Sequence, residues 1–336
     1  MKKYELTDET ITAAGKTLHR IRALRDFEDV KKGELGGFVE NEKNLSQNGD
    51  CWIYSGARVY DNARVSGDVC VLELAKIYQD AHVFGNSRVF GNARISGNAK
   101  VFKDAKVGGN ARIYGHAGVF DNAEVFGNAR VFDDTWIYEN AVVFQNALIS
   151  KMGEIYGNAK VSGSATISDG AWIYGNAEVF GAVVISDTAR IYENAKVFGN
   201  AWISENARVS GNSKIFGAAD VGGKSKIFNN AQVSGSATIT GNAWVYGKAK
   251  ISDGVLVSDN TRIYGNAKVY ENSRISKNAS ITENSEVFGN AWISESAEVF
   301  GNAKVSGNSE IYGNAKVYGT AVVLKDEKIS GNSRIC

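Results

Sequence analysis

From Val59 to Ile335 a valine or isoleucine occupies every sixth position, 47 times without an exception, an insertion or a deletion. A spacing of six excludes an amphipathic helix, whose apolar stripe returns every 3.6 residues. It describes a short strand followed by a bend, repeated. In the phrase Ala195-Lys196-Val197-Phe198-Gly199-Asn200 the pleat places Ala195 and Val197 on one side and Lys196 and Phe198 on the other. A narrow interior accepts a small and a β-branched residue and rejects a lysine beside a phenylalanine, so the Ala/Val side faces inward. Gly199 and Asn200 are expected to turn the corner, both through the left-handed region that glycine enters freely and asparagine tolerates.

Three such units close a triangular coil of 18 residues, and a second period supports this. Read at that interval, the residue after the aliphatic sorts into a serine-rich column (Ser150, Ser168, Ser186, Ser204, Gly222, Thr240, Ser258) and a ring-rich column (Tyr138, Tyr156, Tyr174, Tyr192, Ser210, Phe228, Tyr246, Tyr264). The expected fold is therefore all-β: a single-stranded parallel β-helix of about 16 coils at ~4.8 Å each, a rod roughly 75 Å long. The absence of proline leaves every backbone N–H after the first residue able to donate to a ladder. Burial of one Val or Ile contributes roughly 1.5–3 kcal/mol and ordering each residue costs roughly 1–2 kcal/mol, so coils must hold one another.

Residues 1–35 do not follow the period. Apolar alternation around Ala14-Gly15-Lys16 predicts a hairpin that caps the first coil, with the repeat region running from 36 to 336. The net charge of +1 gives no bulk attraction to nucleic acid or an anionic membrane. The first residues have no apolar leader pattern, and no apolar run is long enough to span a bilayer, so the expected location is the cytoplasm. Cys51, Cys70 and Cys336 are an odd number at unrelated spacings, which reads as free thiols rather than a disulfide framework or a metal site.

The stretch GGFVENEKNLSQNGDCWIYSGARVYDNARVSG, residues 36–67, resembles the start of the YdcK-like hexapeptide-repeat proteins, and the repeats resemble those of the hexapeptide transferases. The resemblance implies a left-handed β-helix, an exception to the right-handed crossover rule, and an acyltransferase activity using acetyl-CoA or another acyl-CoA at a site between subunits. Similar arrays also occur among phage-associated proteins. The chain departs from the transferase pattern in having no loop between hexads, and no catalytic residue is carried over by motif.

Acyl transfer needs a base within reach of the acceptor, oriented by a carboxylate and sheltered from water. Two repeat histidines are candidates. His116 stands at a corner with Asp134 at the equivalent corner one coil later, and His82 stands at an outward strand position. The outward positions are more informative. The residue before the aliphatic is Lys or Arg 23 times in 47 and acidic 7 times.

One face combines Trp136, Trp172 and Trp244 with Arg190, Arg208 and Arg262 and with Tyr138, Tyr156, Tyr174, Tyr192, Tyr246 and Tyr264. It offers rings and cations for a glycan or a protein partner. The adjacent Ser-rich face carries Leu148, Thr166, Val184, Trp202, Thr238 and Leu256 and suits packing of subunits side by side. An open last coil offers a second route to a homo-oligomer. The leading functional reading is a non-enzymatic structural or binding scaffold with no cofactor; the alternative is the acyl-CoA-dependent transferase.

Overall fold

The computed structural model describes residues 2–336. The chain is all-β and winds through about 17 turns of a β-solenoid with three parallel sheets. It divides into two compact units, Met1–Asp169 and Gly170–Cys336.

The first unit opens on an antiparallel hairpin of β1 (Tyr4–Ala13) and β2 (Lys16–Ala23). Its two turn residues, Ala14 and Gly15, have φ of 51° and 76°, the paired positive values that match a tight turn to the strand twist. β3 (Leu35–Val39) joins the two architectures. It runs antiparallel to β2, with His19 opposite Val39. A short 3-10 turn at Glu42–Asn44 follows, then β4 (Trp52–Ile53) and β5 (Arg58–Val59). β3 pairs in parallel with β5 and so becomes the first rung of its ladder. The glycines of the GGFV motif are required by this crossing: a Cβ at Gly36 would lie 2.5 Å from the Ile53 carbonyl oxygen, and one at Gly37 2.5 Å from that of Ala57. Between hairpin and first turn sits an aromatic plug, in which Tyr4 and Phe27 meet Trp52 edge-on at 6.4 and 5.4 Å. The Tyr4 hydroxyl donates to the Leu45 carbonyl at 2.7 Å.

From β4 onward nearly every strand is two residues long, an outward residue and then the inward aliphatic. In each unit it pairs in parallel with its counterpart 18 residues away, as Arg88 with Lys106 in the first and Lys196 with Lys214 in the second. Alanines and aliphatics of the hexads are buried from Ala57 to Val323, so the interior is the narrow Ala/Val channel that the pleat requires. Where Ser or Thr replaces the inward alanine, its hydroxyl in most cases donates to the carbonyl three residues back: Ser213 to Ser210 at 2.7 Å, Thr261 to Ser258 at 2.6 Å and Ser309 to Ser306 at 2.6 Å; Ser225 is the exception. A buried hydroxyl is tolerated when it is satisfied in this way.

The corners differ from expectation. At most corners the left-handed residue is the first corner residue alone, as Gly199 at φ 81° beside Asn200, which is not left-handed; Gly56 takes that role from the second position, and Lys151 with Met152 and Asp169 with Gly170 are left-handed at both. Asparagine is placed at the second position for another reason. Its backbone N–H donates to the corner carbonyl one coil on, as Asn200 to Gly217 at 2.7 Å. Its side-chain amide donates to the asparagine 18 residues later, as Asn122 to Asn140 and Asn284 to Asn302. At many corners where the left-handed position is Asp, Glu or Gln, the side chain accepts the backbone N–H of the corner above, as Glu193 from Gly211 at 2.6 Å and Asp187 from Glu205 at 3.0 Å. Acidic residues gather at corners because an otherwise free donor is waiting there.

Candidate functional site

The two candidate histidines occupy different surroundings. His116 is a rung of the corner ladder. Asn98 Nδ2 lies 3.1 Å from its Nε2, and its Nδ1 lies 3.4 Å from Asp134 Oδ1. The side chains of His116 and Asp134 are 64% and 66% exposed, so the base and its carboxylate partner meet but stand in water. His82 lies half-buried on the rim of a shallow depression with Glu42, Arg64 and Asp80. The hairpin histidine, His19, turns its Nδ1 toward the Thr7 carbonyl at 3.3 Å. No group of His, Cys, Asp and Glu suited to a metal ion occurs among the described residues.

The ring-and-cation face has a part in each unit. In the first, Trp136 is exposed and meets Phe120 edge-on at 5.7 Å. Tyr138 stacks on Phe120 and on Tyr156, and its hydroxyl donates to Glu154 at 3.3 Å. Burial first, then the Glu154 charge, pushes its phenol well above the ordinary range. In the second unit Trp172, Arg190, Arg208, Lys226, Trp244 and Arg262 follow one another on consecutive rungs of one sheet. The Arg190 guanidinium lies 4.4 Å from the centre of the Trp172 ring system, and Trp244 is flanked by Lys226 at 4.5 Å and Arg262 at 5.6 Å. Beside them Tyr174 stacks on Tyr192, and Phe228, Tyr246 and Tyr264 stack in series at 4.8 Å. The ring faces are thus largely occupied by one another and by cations. What this face presents outward is ring edges and positive charge, over a shallow depression lined by Arg208, Lys226, Trp244 and Arg262.

The Ser-rich face is also divided. Leu148 pairs with Thr166 in the first unit; in the second, Val184 pairs with Trp202 and Thr238 with Leu256. Trp202 and Leu256 are exposed. Between them stands Asp220, whose carboxyl is raised above the usual range by burial and by Glu205 nearby.

One feature escaped the residue-by-residue reading. Arg58, Lys76, Arg94, Arg112 and Arg130 stand on consecutive rungs of one sheet in the first unit. The signal was available at the 18-residue interval. Pooling all outward positions into one count concealed it.

The family described as YdcK Beta solenoid repeat matches residues 57–73 and 231–247, one stretch in each unit. These two stretches are similar to the YdcK repeat. The Uncharacterized acetyltransferase YdcK of Escherichia coli (strain K12) is 35% identical over 81 residues, a match covering 20% of this chain and 25% of that protein. The chain therefore aligns with about a quarter of the length of this curated relative. A solved structure of LpxA from Acinetobacter baumannii is 17% identical, covering 58% of this chain and 71% of its own, with a TM-score of 0.22. The chain is a β-solenoid repeat protein related through the YdcK repeat to a protein named as an acetyltransferase. No helix among the described residues is long and apolar enough to cross a membrane.

Proposed function

We propose that the chain is a non-enzymatic binding scaffold whose second unit engages an extended anionic partner, a glycan or an acidic protein segment, across the face from Trp172 to Arg262. The observation that carries this reading is the row itself. Arg190, Arg208, Lys226 and Arg262 share one sheet face, and none makes an ion pair among the described residues. On the neighbouring sheet of the same unit, by contrast, outward cations meet carboxylates: Lys196 with Glu178 at 2.8 Å and Lys268 with Glu286 at 2.8 Å. Cations left without carboxylates, held in place by indoles, supply charge at low ordering cost. The test is tryptophan fluorescence during titration with dextran sulfate, with neutral dextran as control. Trp172 and Trp244 should respond to the sulfated polymer alone, and Arg208→Ala with Lys226→Ala should weaken binding about tenfold. No response to either polymer, or equal response to both, would remove the reading.

A second reading is favoured by the 81-residue similarity to the named acetyltransferase and by the His116–Asp134 contact. Here His116 accepts the acceptor's proton as the acceptor attacks the acetyl-CoA thioester carbonyl, the C–S bond breaks, and the protonated imidazole returns the proton to the departing CoA thiolate, while a second copy of the chain shelters the exposed pair. Transfer of label from acetyl-CoA that disappears in His116→Ala would support it. Unchanged thermal stability on adding acetyl-CoA would count against it.

A further inference from the structure

The row Arg58, Lys76, Arg94, Arg112 and Arg130 is expensive to maintain. Like charges on facing rungs repel, and five stand in unbroken succession at ~4.8 Å per rung. None of the five makes an ion pair among the described residues. Arg94, Arg112 and Arg130 are exposed, and Arg58 and Lys76 are half-buried. The Lys76 amine is held below its ordinary range, first by burial and then by Arg58 and Arg94, with no carboxylate opposing them. At other rungs a glutamate stands next to the cation, as Glu124 beside Lys106 and Glu298 beside Lys316. In this row none does. A narrow groove lined by Arg58, Leu74, Lys76 and Arg94 follows its first three members.

We infer that the Arg58–Arg130 row is a binding site for a linear acidic polysaccharide carrying one carboxylate per sugar, laid along the direction in which the turns stack. Three observations select this chemistry. The cations form a single file, which fits one strand of charge rather than the two of a nucleic acid duplex. Their repeat is one rung, close to the length of a pyranose unit in a polyuronate chain, whereas phosphates of an extended nucleic acid strand lie further apart. The rings beside the row are engaged with one another, Tyr60 with Tyr78 at 5.3 Å and Tyr114 with Phe132 at 4.8 Å, so no free platform awaits a base. The Arg130 guanidinium, pinned by the Tyr114 hydroxyl at 3.0 Å, marks the end of the file, since Leu148 takes the next rung.

This site shares no residue with the Trp172–Arg262 face, so the two readings can fail separately. The experiment is isothermal titration of the full chain at low ionic strength with oligogalacturonates of increasing length. Fully methyl-esterified oligomers and single-stranded DNA of equal charge serve as comparison ligands. Arg94→Gln with Arg112→Gln breaks the row, and Arg208→Ala with Lys226→Ala breaks the other face. The oligogalacturonates should bind with an affinity that falls steeply with salt. The esters should not bind, and in the background of Arg208→Ala with Lys226→Ala, which removes the other anion-binding face, breaking the row should cost about tenfold in affinity. The row variant should also melt higher than the parent at low salt, because repulsion has been removed; this shows that it folds. Absence of oligogalacturonate binding, affinity unchanged when the row is broken in the Arg208→Ala with Lys226→Ala background, or tighter binding of the DNA would each overturn the inference.

Discussion

At the scale of single residues, the interior distinguishes a satisfied hydroxyl from an unsatisfied one at equivalent positions. Ser213 and Ser225 both replace the inward alanine and both are fully buried. Ser213 donates to the Ser210 carbonyl, whereas the Ser225 oxygen has no partner. A buried polar atom without a partner costs about 1–3 kcal/mol, and a satisfied one contributes about 1 kcal/mol. Ser225→Ala, which restores the residue most hexads carry, is therefore expected to stabilise the second unit by about 1 kcal/mol. Ser213→Ala should be neutral or slightly destabilising. Chemical denaturation of the two variants checks this, and equal effects would show that the hydroxyl environment is not what separates them. Much at this scale was legible beforehand. That Ala195 and Val197 face inward follows from the pleat and from side-chain volume, both carried by the residue names. That Asn122 would hold a ladder rather than a left-handed turn was not legible, because its partner Asn140 lies 18 residues away.

At the scale of one ladder, charge is organised by the coil repeat rather than by the chain's near-neutral total. Glu286 lies between Lys268 at 2.8 Å and Lys304 at 3.3 Å on neighbouring rungs. The hydrogen bond from Lys268 is the main cause that holds its carboxyl below the ordinary value of 4.5, with Lys304 adding to it and partial burial opposing. A carboxyl whose pKa is lower folded than unfolded stabilises the fold in full above the unfolded value. That contribution is lost as pH falls from about 4.5 through the lower folded value. Stability measured from pH 6 downward should therefore decline less steeply in Glu286→Gln than in the parent, and parallel curves would refute the assignment. The same scale explains what sequence reading missed. Pooled, 23 cations in 47 outward positions look like an ordinary solvated surface. Sorted by rung, one row in each unit stands in close succession without carboxylates, while other cations, such as Lys106, Lys196, Lys268 and Lys316, meet a glutamate on a neighbouring rung. The plug of Tyr4, Phe27 and Trp52 was hidden as well, since only the hairpin half of the cap has a local signal. The contacts that seat it cross more than twenty residues of irregular chain.

At the scale of the molecule, stability is a property of stacked turns. A two-residue strand has too little surface to hold itself, and its partners are the strands before and after it. In the second unit Val197 pairs with Val179 and with Ile215 and is fully buried. Val197→Asp places a carboxylate where no donor is within reach, at a cost of several kcal/mol. Because the same inward column continues on both sides, the damage should spread to the turns carrying Val179 and Ile215. The neighbouring Lys196→Asp is the control. Its side chain already lies outside, and it exchanges the ion pair with Glu178 for two facing carboxylates, a change worth under about 1 kcal/mol. Native-state hydrogen exchange should show protection lost over several consecutive turns in the first variant and almost none lost in the second. Loss confined to the turn of residue 197 would mean that each turn is held by its own contacts, and the dependence of short strands on their neighbours would have to be abandoned for this unit.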